Sequence, residues 1–308
     1  MSGRFSEEAM TEAMRDIAAA LDVSPEGAQL LQMTNNAVFA LPRSGIVIRI
    51  ARTSQLLDRV TKVVQLGHWF AEVDAPTIRL ASYAGQPIGI RHLVASVWQY
   101  VPPHPPPLTA KDLGEVLRDF HTIGVPSFPI PLWNPVGDAR RRLADADGLT
   151  KPDYDFLSNW CNRLEPEVAA LTERGAQTLV HGDAHAGNLL RDSSGEVLLC
   201  DFDATCIGPW QVDLAAVAVG ETRFGTTGAQ RALADSYGFD VTSDPYWATF
   251  REARELKMIV AAVPLLATCR KIANEFSNRI QSIRQQGYNR AWMPFAALNL
   301  SRTNGEDS

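Results

Sequence analysis

The stretch HGDAHAGNLLRDSSGEVLLCDFD, His181 to Asp203, concentrates the side chains that can do chemistry. His181, Asp183 and His185 fall within five positions, Asn188 follows, and Asp201 and Asp203 flank Phe202. Two chemistries suit such a set. In one, a carboxylate orients a hydroxyl and takes its proton, while an amide and a second carboxylate supply hard oxygen ligands to Mg2+. In the other, Asp183-x-His185 opens a binuclear metal site for hydrolysis. The second needs further His and Asp ligands. No His follows His185, and His68, His92, His104 and His121 have no paired acids at ligand spacing.

The first chemistry fits the spacing. Asp183 precedes Asn188 by five positions, the H-x-D-x-x-x-x-N interval of phosphoryl-transfer loops. Leu189–Arg191 and Glu196–Asp201 read as short strands joined by the turn-rich Asp192-Ser193-Ser194-Gly195. Such a hairpin returns Asp201 beside Asn188. Asp183 is then the proton acceptor, and Asn188 and Asp201 are the metal ligands.

The same residues resemble the aminoglycoside phosphotransferase family of small-molecule kinases. Its pattern, H-G-D-x-H-x-x-N followed by D-[FW]-[DE], is matched at His181, Gly182, Asp183, His185, Asn188, Asp201, Phe202 and Asp203. Gly208-Pro209 and Asp213-Leu214-Ala215 resemble its downstream motifs, and LGEVLRDFH, Leu113 to His121, its Leu-His helix. The resemblance runs from about Gln32 to the helix carrying Arg254-Glu255-Leu256. It implies an α+β, bilobal protein-kinase-like fold, with an antiparallel sheet and one main helix in the N-lobe and a larger, mostly helical C-lobe. It also implies Mg2+ and a nucleoside triphosphate, ATP or GTP. His181, His185 and Asp203 become supporting residues, and Asp213 an anchor that accepts backbone hydrogen bonds from the catalytic loop. A protein kinase would need an activation segment and A-P-E. Only eleven residues separate Asp201 from Asp213, and no A-P-E occurs, so the acceptor is expected to be a small molecule.

These residues need a scaffold. PPHPPP, Pro102 to Pro107, cannot lie inside a helix or a central strand. It marks a boundary: an N-lobe over 1–101, a Pro-rich hinge over 102–108 and a helical C-lobe over 109–308. Before it, GAQLLQM, NAVFALP, GIVIRIA, PTIRLA and ASVWQYV read as strands. Met10, Met14, Ile17 and Leu21 repeat at helical spacing, and a second helical pattern covers 54–72. After the boundary, 109–124, 154–172 and 246–286 read as helices, the last bent or broken at Pro264. The hairpin falls within this helical lobe.

Strand alternation sets Ile46, Ile48 and Ile50 on a core face and Arg49 on the other. In the resembled fold that other face meets the nucleotide, which makes Arg49 the phosphate cation. Val63 stands where the family's helix usually carries its Glu, so Arg49's partner is left open. Thr34, Asn35 and Asn36 take the place of a Gly-rich phosphate loop. Gln99, Tyr100 and Val101 are the expected base-reading hinge. Arg254 and Glu255 are candidates for bordering the acceptor.

Net charge is −6 and pI about 5.6, which argues against nucleic acid as a partner. No apolar run is long enough for a membrane span, and the early acids of the N-terminus do not read as a secretory signal. The four cysteines have no C-x-x-C spacing, which suits reduced thiols in the cytoplasm. From Asp201 onward 12 acids face 11 Lys and Arg, which weighs against a strongly cationic acceptor. The expectation is a Mg-dependent kinase of a small-molecule hydroxyl, on an antibiotic or on a sugar, nucleoside or amino alcohol. The alternative is a nucleotide-binding regulator without turnover, against which the intact Asp183, Asn188 and Asp201 argue.

Overall fold

Ile46, Ile48 and Ile50 are buried on one face of their strand, and Arg49 lies on the other. The structure is a computed structural model that describes residues 5–33, 36–53, 56–83, 85–174, 177–285, 287 and 291–299. In chain order its elements are α1 Glu7–Ala20, β1 Gln29–Met33, β2 Asn36–Leu41, β3 Ile46–Ala51, α2 Leu57–Glu72, β4 Ile88–Ile90 and β5 Leu93–Gln99. Then follow α3 Ala110–Phe120, α4 Pro135–Ala144, α5 Lys151–Arg174, β6 Gln177–Val180, β7 Leu189–Arg191, β8 Val197–Leu199 and β9 Cys206–Pro209. The chain ends with α6 Gln211–Phe224, α7 Ala229–Tyr237, α8 Trp247–Val260, α9 Arg270–Arg284 and α10 Phe295–Asn299.

Contacts divide the chain into two compact units. The first is Met1–Leu108 with Thr122–Ile130 and Ala186–Thr205; the second is Thr109–His121 with Pro131–His185 and Cys206–Ser308. The chain passes from the second to the first between His185 and Ala186, inside the motif.

The first unit is built on an antiparallel sheet of order β1-β2-β3-β5-β4. Both faces of the sheet are used. Phe39, Leu41, Ile46, Ile48, Ile50, Ala95 and Val97 cluster with Met10, Met14 and Ile17 of α1. On the opposite face Ala51 and Val94 meet Val60 and Val64 of α2. Arg49, paired in register with Ser96, is on the α2 side. PTIRLA forms no ladder of its own. It divides its bonds: Thr77 bridges Leu199 on one side and Leu80 bridges Trp98 on the other. Arg79 folds back onto the carbonyls of Ala75 and Thr77, which holds the segment irregular.

The β7–β8 hairpin belongs to this unit rather than to the helical part of the chain. Its Leu199 N–H donates to Pro76, and its Leu199 carbonyl accepts from Ile78. The pairing Leu189↔Leu199 and Arg191↔Val197 is closed by Asp192, whose carboxylate accepts the N–H groups of Ser194 and Glu196. Gly195 at φ 92° occupies the left-handed conformation that completes the turn.

The second unit is mainly helical. Thr109 and Asp112 form a capping box at the start of α3, which buries Leu113, Val116, Leu117 and Phe120. The main core gathers Leu157, Trp160 and Leu164 of α5, Leu256 and Ile259 of α8, and Phe276 of α9. The helical pattern over 246–286 is two helices. Pro264, without an N–H and with a ring that clashes in a continuing helix, sits in a 3-10 turn between α8 and α9. β6 and β9 pair antiparallel, Val180 opposite Cys206, and so deliver His181 from the end of a fixed strand. No helix among the described residues is long and apolar enough to cross a membrane.

Candidate active site

In the first unit the site is a cationic group around the D-F-D turn. Asp201 leads a 3-10 turn over Phe202–Ala204 and has φ 66°, unusual for a residue other than glycine. Phe202 anchors the turn; it is buried, with ring centroids 4.8 Å from Phe70 and 6.0 Å from Trp98. The Arg49 guanidinium then spans the flanking acids, Nη2 to Asp201 Oδ1 at 2.7 Å and Nη1 to Asp203 Oδ1 at 2.7 Å. Burial opposes the charge of Arg49, yet the two carboxylates outweigh it and hold its pKa above the ordinary value. Burial likewise works against the charge of Asp203, and Arg49 more than offsets it, so that carboxyl titrates below its usual range.

The partner of Arg49 is thus the motif's own pair of acids. Val63, at the position usual for Glu, is buried among apolar groups. α2 instead sends cations. Arg59 Nε lies 3.5 Å from Asp203 Oδ2, and Lys62 Nζ donates to the carbonyls of Asp203 (2.9 Å) and Thr205 (2.8 Å). Asn36 is buried and donates to Asp203 Oδ2 at 3.2 Å. Thr34 and Asn35 lie outside the described residues. Asn188 is buried in a 3-10 turn, and its carbonyl accepts from Cys200 N–H at 3.0 Å, which ties it to the residue before Asp201. The N–H groups of Gln99 and Tyr100 donate to the carbonyls of Arg79 and Gly45, so neither N–H is free to read a base edge. Among the described residues the N–H of Val101 has no such internal acceptor.

In the second unit the loop His181–His185 hangs on Asp213. This carboxylate, fully buried in the first turn of α6, accepts His181 N–H and Gly182 N–H, each at 2.7 Å. Burial raises the cost of its charge, and the hydrogen bond from His121 with these two N–H groups reverses that, so its pKa is lowered. His121 Nε2 is 3.0 Å from Asp213, and His121 Nδ1 is 2.9 Å from the Tyr237 hydroxyl. Gly182 has φ 77°, and its turn lets the His181 Nδ1 accept the Asp183 N–H at 3.3 Å. His181 is buried and orients the loop, whereas His185 is exposed.

Asp183 itself is gripped by α8. Arg254 Nη1 lies 2.7 Å from its Oδ1, and Lys257 Nζ 3.5 Å from the same oxygen. Lys257 also donates to the Gly182 carbonyl at 2.6 Å. Burial opposes the carboxylate's charge, but Lys257 and Arg254 dominate and depress its pKa far below the usual range. Glu255 does not share this surface, which corrects its place as an acceptor residue. It is buried with Arg223, whose Nε is 2.9 Å away. A helix turns consecutive residues about 100° apart, so Arg254 and Glu255 face different neighbours.

Arg59, Lys62, Lys257, His121 and Tyr237 were not among the sequence candidates. A signal existed for two pairs: Arg59 and Lys62, like Arg254 and Lys257, are spaced i, i+3 and so share a helix face. His121 stood out only as the end of the Leu-His helix, and Tyr237 carries no such signal; tertiary packing brings His121 to Asp213 and Tyr237 to His121.

The donor set suits a magnesium nucleotide. Mg2+ takes hard oxygens and retains waters, and beside phosphate oxygens it can be held by the carboxylate of Asp201 and the amide oxygen of Asn188. Among the described residues the buried Nη2 of Arg59 has no acceptor and its Nε has only the long approach to Asp203, which suits both to phosphate oxygens. Among the described residues no three His, Cys, Asp or Glu side chains gather into a metal cluster.

The model of the phosphotransferase enzyme family matches residues 32–255. The chain belongs to that family and is a phosphotransferase with an alcohol group as acceptor. The amicoumacin kinase hAmiN, solved with AMP-PNP, Ca2+ and amicoumacin, superposes with TM-score 0.68 at 15% identity, over 96% of this chain and 98% of that one. The choline kinase LicA of Streptococcus pneumoniae gives 0.62 at 14% identity, over 90% and 99%. An aminoglycoside phosphotransferase of Streptomyces rimosus gives 0.60 at 16%, over 80% and 98%. At these identities the likeness establishes the α+β protein-kinase-like fold. No curated protein sequence matches the chain.

Proposed function

We propose that this protein is a Mg-dependent kinase that moves the γ-phosphoryl group of ATP or GTP to a hydroxyl of a small molecule, an antibiotic or a metabolite. The observation that carries the reading is the hairpin register, which sets Asn188 next to Cys200 and hence beside Asp201. Asn188 and Asp201 then hold the metal, which neutralises phosphate charge when bound. Arg49 and Arg59 face the phosphates, and Lys62 fixes the backbone of the D-F-D turn. That amicoumacin kinase was solved with AMP-PNP and Ca2+, and a 2″-phosphotransferase with GDP and kanamycin, supports a nucleotide donor.

Asp183 orients the acceptor hydroxyl. The acceptor oxygen forms its bond to the γ-phosphorus as the bond to the β,γ-bridging oxygen breaks. The leaving nucleoside diphosphate keeps that electron pair, and the hydroxyl proton passes to Asp183 and on to solvent. The depressed pKa of Asp183 makes it a weak base, which suits a loose transition state in which the proton moves late. His181, Asp213 and His121 keep the loop in place.

The test is phosphate transfer from ATP and from GTP to a panel of antibiotics, sugars, nucleosides and amino alcohols, read by 31P NMR and diphosphate release. Asp183→Asn should lower kcat by about 10^2- to 10^4-fold while nucleotide binding persists. Equal turnover by wild type and Asp183→Asn would remove Asp183 from this role.

A further inference from the structure

Helix α8 carries Glu252, Arg254, Glu255 and Lys257 within two turns, and the fold sorts them by charge. Glu252 turns inward, accepting from Trp160 Nε1 at 2.8 Å and from Arg163 at 2.6 Å. Glu255 is spent on Arg223. Both acids are consumed by other partners. The side of the helix that reaches Asp183 presents Arg254 and Lys257 alone, two positive charges against one carboxylate. A near-neutral total from Asp201 onward therefore conceals a local excess of positive charge at Asp183.

Arg254 is also under-used. A guanidinium has five N–H donors in a planar fork. Among the described residues its one hydrogen bond is Nη1 to Asp183, and its Nε is buried without an acceptor. A buried donor left unmade in a native structure calls for an explanation, and an oxyanion ligand supplies one.

We propose that the acceptor carries an anionic oxygen group, carboxylate or phosphate, close to the hydroxyl that is phosphorylated, and that Arg254 and Lys257 bind it. This rests on the phosphotransferase reading, since it places the hydroxyl at Asp183. A base works within hydrogen-bond reach of its proton. Arg254, at 2.7 Å from that base, is then a near neighbour of the hydroxyl. The donor phosphates have cations of their own in Arg49 and Arg59, which leaves this pair to the acceptor. A polycationic acceptor would meet like charge there.

The experiment measures kcat/KM on matched acceptors: glycerate against glyceramide, gluconate against gluconamide, glucose 6-phosphate against glucose, with kanamycin as the polycation. The acid is expected to exceed its amide, or the phosphate its free sugar, by about 10-fold or more, as fits a charge-assisted contact. The two anionic arms separate a carboxylate from a phosphate acceptor. Lys257→Met should collapse that ratio toward one, chiefly through KM, and Lys257→Arg should retain it. Equal use of both members of every pair overturns the proposal. So does a Lys257→Met variant that loses kcat on both members with the ratio intact, which would assign the lysine to the loop or the transferred phosphoryl. Transfer only to neutral or cationic acceptors, abolished by Asp183→Asn, sinks the anionic acceptor and leaves the phosphotransferase reading standing. No transfer to any acceptor sinks both.

Discussion

Asp183, Asp203 and Asp213 are three carboxylates with lowered pKa, each for a different structural reason. Asp213 is held by backbone N–H groups and His121, Asp203 by Arg49, and Asp183 by Lys257 and Arg254. The sign for Asp183 is direct. A depressed pKa keeps the carboxylate charged through the ordinary acid range, so its protonation does not limit activity there. Removing Arg254 withdraws part of the opposing charge, and the pKa must rise. Over about pH 4.5 to 9 the wild type should therefore show no acid limb from Asp183 in kcat/KM, and Arg254→Met, whose carboxyl titrates higher, should be the variant in which an acid limb enters from the low-pH side. An acid limb at the same pH in both would dissociate Arg254 from the ionisation of Asp183. A neighbour behaves oppositely. Burial first, then the charge of Asp201, push the Cys200 thiol up to about 12. The thiolate is the reactive form, so iodoacetamide at about pH 8 should leave Cys200 unmodified in the folded protein and label it once urea unfolds the chain. Mass spectrometry of the peptide containing Cys200 reads this, and prompt labelling of the native protein would contradict the raised thiol pKa.

The elements legible from sequence are those whose pattern is local. β1, β2, β3 and β5 announce themselves by short β-friendly apolar runs between turn residues, and α3 by Thr109 and its apolar face. Alternation also placed Arg49 away from the Ile face, and the hairpin followed from Asp192 to Gly195. What stayed hidden depends on partners distant in sequence. The segment 75–81 has strand-like residues, but its bonds go to Leu199 and Trp98 in turn. β6 and β9 are four residues each and gain their form by pairing with one another, with Ile207 of β9 also bonded to Pro131 and Trp133. The α3–α7 packing is another such case, and it depends on one glycine. A Cβ at Gly114 would lie 2.1 Å from Ser236 Oγ and 2.8 Å from the Leu233 carbonyl oxygen. The hydroxyl can rotate away; the helix backbone cannot. Gly114→Ala should therefore destabilise by about 1–3 kcal/mol despite alanine's better helix propensity. Urea denaturation measures it, and Ser236→Ala in the same chain should restore only part of the loss. Full restoration would show that the serine alone carries the clash.

At the scale of the whole molecule, sequence order and spatial grouping part company. The proline run suggests a single cut in the chain, yet 122–130 and 186–205 group with residues 1–108. Short returning segments leave no compositional trace, because each is read against its neighbours in sequence rather than those in space. The consequence is testable in the first unit. Residues 186–205 supply Leu199, which bonds Pro76 and Ile78, and Phe202, which packs on Phe70 and Trp98. They also supply Asp201 and Asp203, without which Arg49 is a largely buried cation lacking its two carboxylates. An uncompensated buried charge is strongly unfavourable, by about 3–5 kcal/mol where one partner of a buried pair is removed. That is comparable to the whole stability of a small domain, which is about 5–15 kcal/mol. A fragment of residues 1–108 should therefore show no cooperative thermal transition by circular dichroism. The same fragment with 186–205 joined through a flexible Gly/Ser linker should regain one. Arg49→Met in the short fragment offers a further discrimination. If the unpaired guanidinium is the main defect, this variant should recover part of the helical and sheet signal. If the lost packing of Phe202 dominates, the variant should remain as unfolded as the fragment with Arg49. A cooperative melt of unaltered 1–108 would show that the sheet and its two helices suffice alone, and that the D-F-D turn is carried by the first unit without being needed to hold it together.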